Sequence, residues 1–242
     1  MPRFSSSRAV TFDCWNTLIY ETDPARGFMR RVDRMVALLT EAGHPLSQAR
    51  AADVLSESWQ LHAQRWTEGV ATGAPDVSRW VLETLEAYTP ELDARLTQSL
   101  QDVQEDDGTT ALEGARETLV KLRERGIRRA LVCDTGLTPG TVVRRLLGHA
   151  NLLDELEVLV FSDEHGVPKP HAKVFHAALA PFEVEPAHAV HVGDIRRSDV
   201  AGARGVGMGT VRISAIHDDQ SEHPEADAVV PDHAALRELL GC

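Results

Sequence analysis

His191-Val192-Gly193-Asp194, followed by Ser198-Asp199, is the stretch on which the fold turns. Residues 188–193 make a short apolar run, which predicts a strand ending in Gly-Asp, and residues 199–204 then predict a helix. A further strand is expected over 209–213. Upstream the same alternation repeats. It gives a helix over about 171–180, a strand over about 157–161, a helix from Thr138-Pro139 to about Leu147, a strand over about 128–133 and a helix over about 114–125 ending at Gly126. Thr138 and Pro139 supply an N-cap and a first-turn proline. The first strand, Arg8-Ala9-Val10-Thr11-Phe12-Asp13, stands far upstream of the others. Strands alternating with helices imply crossovers and a parallel sheet. Such sheets bind ligands at the carboxyl ends of their strands, which is where Asp13, Asp134 and Asp194 fall.

Between the first strand and the rest the rhythm is different. From about Pro24 to Asp106 the signals are helical. Phe28, Val32, Met35, Val36 and Leu39 recur at spacings of three and four, which places them on one helical face. Pro24 near its start and Gly43 just past its end punctuate this helix. Three more helices are expected over about 47–68, 76–88 and 91–104, separated by Gly69, Gly73, Pro75 and Pro90. The chain therefore divides into a core of residues 1–20 and 108–242 and a helical insertion of 21–107. Within the insertion Trp59, His62, Arg65 and Trp66 lie at helical spacings. Such a ring-and-cation face offers one way to select a substrate; the leading expectation is that both indoles pack inside the bundle and that Arg65 is solvated. Arg30 and Arg31 are expected on the surface.

Composition narrows the function. The chain has 25 basic and 37 acidic residues among 242, a formal charge of −12, which repels polyanions and argues against a nucleic-acid partner. No apolar run reaches the ~18 residues of a membrane span. The first residues do not resemble a signal peptide. Three cysteines, Cys14, Cys133 and Cys242, make no disulfide framework, so a reducing cytoplasm is the expected location. His217 to Asp227 reads as a surface loop.

Four segments carry the candidate chemistry. In Phe12-Asp13-Cys14-Trp15-Asn16-Thr17-Leu18, an aspartate at a strand end can act as a nucleophile, although lone acids at such positions more often cap turns. Leu131-Val132-Cys133-Asp134-Thr135-Gly136 offers small polar groups and backbone N–H groups to an anion, or is an ordinary strand-to-helix turn. In Gly166-Val167-Pro168-Lys169-Pro170, two prolines restrict a lysine that can neutralise a bound anion. Asp194 and Asp199 can hold a hard cation through oxygen ligands.

In this order the four segments resemble the motifs of the haloacid dehalogenase superfamily, over residues 8–18 and about 108–213. The resemblance implies an α/β fold: a Rossmann-like parallel sheet core with an inserted all-helical cap. It also implies a hydrolase in which Asp13 attacks the substrate and Lys169 offsets negative charge. Mg²⁺ is held by Asp13, Asp194 and the carbonyl of Trp15, with Asp199 at or behind the metal. By the same resemblance Cys133, Asp134 and Thr135 would meet the substrate, expected to be a small anionic molecule. Exposed cap helices are compatible with a monomer or a homodimer.

Two positions differ from the phosphatases of this family. Trp15 stands where they carry a second aspartate that protonates the leaving group and activates water. Cys133 replaces a Ser or Thr, and a thiol is the weaker donor. Mg²⁺-dependent phosphate monoester hydrolysis is the leading expectation. The aromatic Trp15 also resembles the branch that hydrolyses 2-haloacids without metal, a branch that usually lacks the Gly193-Asp194 pair. A third possibility is a retained fold with a degraded site that binds without turnover.

Overall fold

The computed structural model describes Phe4 and residues 7–101 and 108–242. The strands are β1 (Ala9–Phe12), β2 (Ile19–Glu21), β3 (Thr109–Ala111), β4 (Arg128–Cys133), β5 (Val158–Phe161), β6 (Ala189–Gly193), β7 (Gly209–Ile213) and β8 (Ala228–Val230). The helices are α1 (Pro24–Glu41), α2 (Gln48–Thr67), α3 (Ala74–Thr84), α4 (Pro90–Gln101), α5 (Ala115–Glu124), α6 (Gly140–His149), α7 (Ser162–His165), α8 (Ala172–Leu179), α9 (Ala201–Gly205) and α10 (His233–Leu240). Among the described residues, six strands form a parallel sheet in the order β5-β4-β1-β6-β7-β8.

β1 is central, and every residue of it is buried. Side chains alternate across the sheet. Val10, Phe12, Leu131, Cys133, Val190 and Val192 face one way, onto Leu119 and Leu122 of α5, Val143 and Leu147 of α6 and Leu236 of α10. Ala9, Ala130, Val132 and Val160 face the other way, onto Val174, Phe175 and Ala178 of α8 and Ala203 of α9. Helices therefore cover both faces, which is why the strands read as continuous apolar runs.

α1 to α4 build a separate apolar cluster, with Val32, Met35 and Leu39 packed among Val54, Val81, Leu82, Leu96 and Leu100. α1 begins where Asp23 accepts from the Arg26 N–H, with Pro24 at its first position, as the sequence pattern predicts. The expected helix over 91–104 is seen from Pro90 to Gln101, and its last three positions lie outside the described residues. β2 and β3 pair antiparallel at the root of the insertion, and Thr22 N–H donates to the Gly108 carbonyl at 2.8 Å.

Three features differ from the pattern. The helix expected over 199–204 is α9, Ala201–Gly205, and a wide π-turn, Arg196–Val200, leads into it. The extra residue in such a turn re-aims its side chains, here Asp199. α7 interposes a single helical turn after β5. β8 and α10 extend the sheet and its cover beyond the last expected strand. α10 is capped by Asp232, whose carboxylate accepts from Ala235 N–H, and ends at Gly241 in the left-handed region.

Candidate active site

Asp13 directly follows β1. Its N–H still donates to the Val192 carbonyl at 2.8 Å, so the sheet holds its backbone. The chain then turns tightly, with Leu18 and Ile19 N–H groups donating to the Cys14 carbonyl. Asn16 takes a φ of 57° in this turn, a conformation asparagine tolerates better than most residues. Its amide donates to Asp194 Oδ2 at 3.4 Å. Asp194 follows the end of β6, so both acids sit at the carboxyl edge of adjacent strands.

Lys169 joins these ends. Its Nζ donates to Asp13 Oδ1 at 2.5 Å and to Asp199 Oδ1 at 2.7 Å, while its backbone N–H donates to Asp134 Oδ1 at 2.8 Å. Only 2% of Lys169 is exposed. Asp199 is brought inward by the π-turn. Its Oδ2 accepts from Ile195 N–H at 3.0 Å, and Oδ1 also lies 3.1 Å from His191 Nε2. Gly193 makes this possible, because a Cβ there would fall on Cγ of Asp199.

One ammonium serves several buried carboxylates, and the charges respond accordingly. Burial opposes ionisation of Asp199, but Lys169 and the His191 hydrogen bond outweigh it and hold the carboxyl well below the usual range. Burial works against charge on Lys169 too, and Asp13, Asp199 and Asp134 hold it protonated. Asp13 shares its cation with Asp199. Burial, Asp199 and Asp194 push it well up against the pull of Lys169. Burial and Asp199 raise Asp194 to about 7. Ligand oxygens of Asp13, Asp194 and Asp199 lie within 4.8 Å of one another. A cluster of hard oxygen donors with more negative charge than its lysine neutralises fits a divalent cation.

These groups open into a cleft of about 570 Å³ lined by Asp13, Trp15, Asp134, Thr135, Lys169, Asp194 and Asp199, among others. The geometry thus brings together seven of the eight residues singled out from sequence. Cys133 is the exception. It is the last residue of β4 and shares the face of Leu131, so its thiol is buried in the core beside Cys14 instead of lining the cleft. Thr135 is engaged with Ser162, its N–H donating to Ser162 Oγ at 2.8 Å and the two hydroxyls lying 3.0 Å apart.

The insertion supplies a wall that sequence reasoning assigned to packing or to the surface. Trp66 Nε1–H donates to Asp134 Oδ2 at 2.8 Å, and the Arg197 guanidinium lies 3.8 Å from the centre of its ring. Trp59 stacks on His62 with ring centres 4.7 Å apart and stays 48% exposed within the cleft lining. Arg31 is half-buried rather than a surface residue. It lines the cleft, donates to the Leu100 carbonyl at 3.2 Å and reaches Thr138 Oγ1 at 3.5 Å. Helical spacing put these residues on a face but could not say that the face looks at the sheet edge. His191, buried between Thr11 Oγ1 at 2.7 Å and Asp199, is given no role in the site by the sequence reading, because a histidine inside an apolar strand reads as core.

The sheet order, the insertion after β1 and the acids at the strand ends define a Rossmann-like α/β scaffold with its candidate site at the carboxyl edge of the sheet. The sequence matches the haloacid dehalogenase-like hydrolase family over residues 7–207, and the chain belongs to that family. It is 37% identical over 130 residues to the glyceraldehyde 3-phosphate phosphatase of Pyrococcus furiosus, a match covering 52% of this chain and 53% of that protein. The chain thus spans about half the length of that relative. It is 31% identical over 211 residues to the phosphoserine phosphatase of Thermus thermophilus, covering 85% of this chain and 81% of the relative. Among solved structures, a HAD phosphatase from Thermococcus onnurineus superposes with a TM-score of 0.67 at 25% identity, covering 97% of this chain and 98% of the other. No helix among the described residues is long and apolar enough to cross a membrane.

Proposed function

We propose that the chain hydrolyses phosphate monoesters of small anionic molecules, with Asp13 as nucleophile. Residues 1–20 and 108–242 act as the catalytic core and residues 21–107 as a cap over it, in a cytoplasmic enzyme. The observation that carries this reading is the Lys169 ammonium bridging Asp13 and Asp199, with Asp194 beside them at the floor of the cleft. Asp13, Asp194 and the Trp15 carbonyl would hold Mg²⁺, with Asp199 behind them. When bound, the ion supplies positive charge that favours ionised Asp13 and Asp194 and screens the phosphoryl oxygens. Asp13 attacks phosphorus as the phosphorus–oxygen bond of the ester breaks, the leaving oxygen takes its proton from water, and a second water hydrolyses the phosphoenzyme to phosphate and returns Asp13 as carboxylate. Lys169 holds Asp13 in place and offsets charge that develops on the transferred group. Asp134 orients the lysine backbone from behind, and Thr135 with its neighbouring N–H groups faces the phosphoryl group. Cys133 serves as packing beneath this loop. The phosphatase names of two relatives support the reaction class.

A second reading, hydrolysis of 2-haloacids, is favoured by Trp15, since halide leaves without a proton. The Gly193-Asp194 pair speaks against it. Binding without turnover draws on Trp15 and Cys133, and the full set of site acids speaks against that. The deciding experiment is hydrolysis of phosphate esters and of 2-chloropropionate, with Mg²⁺ and with chelator, by wild type and Asp13→Asn. Expected is Mg²⁺-dependent phosphate release that disappears in Asp13→Asn. Chelator-insensitive halide release, or phosphate release that survives Asp13→Asn, would overturn the proposal.

A further inference from the structure

Resting on the phosphatase reading, we infer that the substrate is an aryl phosphate: a planar aromatic ring seated against Trp59 and Trp66, with phosphate on an acidic ring hydroxyl. Two independent observations converge on this class.

The first concerns the leaving group. Trp15 lines the cleft beside Asp13 and has no proton to give. The other acids of the cleft are committed. Both oxygens of Asp134 already accept hydrogen bonds, from Lys169 N–H and Trp66 Nε1–H. His62, whose Nδ1 is tied to Thr72 Oγ1 at 2.6 Å, is held neutral because burial lowers its affinity for a proton. Glu21 is the exception: burial raises its affinity for a proton against the pull of the neighbouring Arg31, but it stands on β2 beside that guanidinium and not at position 15, and Glu21→Gln tests whether it supplies a proton. Leaving groups that depart as stable anions are therefore selected. Asp13 forms its bond to phosphorus as the phosphorus–oxygen bond to the ring breaks, and the electron pair leaves as a phenolate that takes its proton later from water. Water then attacks the phosphoenzyme. Its hydroxyl stays with phosphate, its proton passes to solvent and Asp13 returns as carboxylate.

The second observation is the wall. Trp59 is a large half-exposed ring on α2, directed at the sheet edge and supported from behind by His62. Its ring stands against Gly136, the residue after Asp134-Thr135, closely enough that a Cβ there would lie 3.1 Å from Trp59 Cη2. Trp66 is fixed in orientation by Asp134 and Arg197. Rigid indoles beside the nucleophile give a planar ring a stacking surface at little cost in side-chain entropy.

The test compares 2-naphthyl phosphate, phenyl phosphate and glycerol 3-phosphate with Mg²⁺-loaded wild type, Trp59→Ala, Trp15→Asp and Glu21→Gln. Binding of 2-naphthylmethylphosphonate and propylphosphonate is measured by calorimetry. In wild type, glycerol 3-phosphate is expected to fall roughly 10²-fold or more below phenyl phosphate in kcat/KM, the contribution of the absent acid. Both aryl esters should release a burst of about one phenolate per site followed by a common steady rate, because both pass through the same phosphoenzyme and position 15 offers no base to its hydrolysis. The naphthyl compounds should bind roughly threefold to tenfold more tightly than their small counterparts, a preference lost in Trp59→Ala. Trp15→Asp should raise glycerol 3-phosphate turnover and narrow the gap between it and phenyl phosphate. The inference is overturned if wild type hydrolyses glycerol 3-phosphate as well as phenyl phosphate, or does so through Glu21 as shown by its loss in Glu21→Gln. It is overturned equally if the naphthyl phosphonate binds no better than the propyl one. In either case the phosphatase reading stands. No phosphate release from any ester sinks that reading itself.

Discussion

Gly193 and Asp199 show how narrow the margins of the site are. The Asp199 carboxylate occupies the place of a side chain at Gly193, and from there it reaches Lys169, His191 and the Ile195 N–H. Gly193→Ala is expected to displace Asp199, weaken the hold on Lys169 and lower turnover by about 10²-fold, with a stability loss of about 1–3 kcal/mol. Steady-state kinetics and urea unfolding check both; unchanged turnover would remove Asp199 from the set that positions Lys169. At this scale the sequence was informative for acids and lysine, because their spacing after strands is itself a pattern. It singled out Trp59, Trp66 and Arg31 but favoured packing for the indoles and the surface for the arginine, because their place depends on which neighbour a helix face meets.

At the scale of elements, α10 is tied to the loop after β1 through His233. Its Nε2–H donates to the Thr17 carbonyl at 2.8 Å, and burial lowers its affinity for a proton below the usual 6.5. A histidine whose folded value is depressed costs nothing while both states are neutral. As pH falls through 6.5 the unfolded chain takes up the proton first, so its contribution to stability declines until the folded value is passed. His233→Gln should therefore be most destabilising near about pH 8, and the deficit should shrink toward about pH 5. Urea unfolding at the two pH values measures it, and a deficit independent of pH would argue against a neutral buried imidazole. The strands of the core were legible because burial on both faces leaves long apolar runs. β2, β3 and β8 were not, since three residues are too few to show alternation. The π-turn at Arg196–Val200 was read as helix because its composition is that of a helix start, and only the extra residue in the turn distinguishes the two.

For the whole molecule, the excess of acids gathered at one sheet edge sets how folding responds to a cation. A ligand that binds only the folded chain stabilises it by about 2.7 kcal/mol at a hundred times its dissociation constant. Mg²⁺ at that level should raise the melting temperature of wild type by about 5–10 °C and leave Asp194→Asn nearly unchanged. Equal shifts in both would place the ion elsewhere. Fold class and the core site could be anticipated from order and spacing alone; the aromatic wall could not, because it exists only where α2 of the insertion meets the ends of β4 and β6. That meeting has a practical corollary. The indoles of Trp15, Trp59 and Trp66 all border the cleft, whereas Trp80 packs against the core of the insertion. Any parting of α2 from the sheet edge would strip Trp66 of both Asp134 and Arg197 and wet its ring, so the native fluorescence spectrum is a built-in gauge of closure, readable without a label.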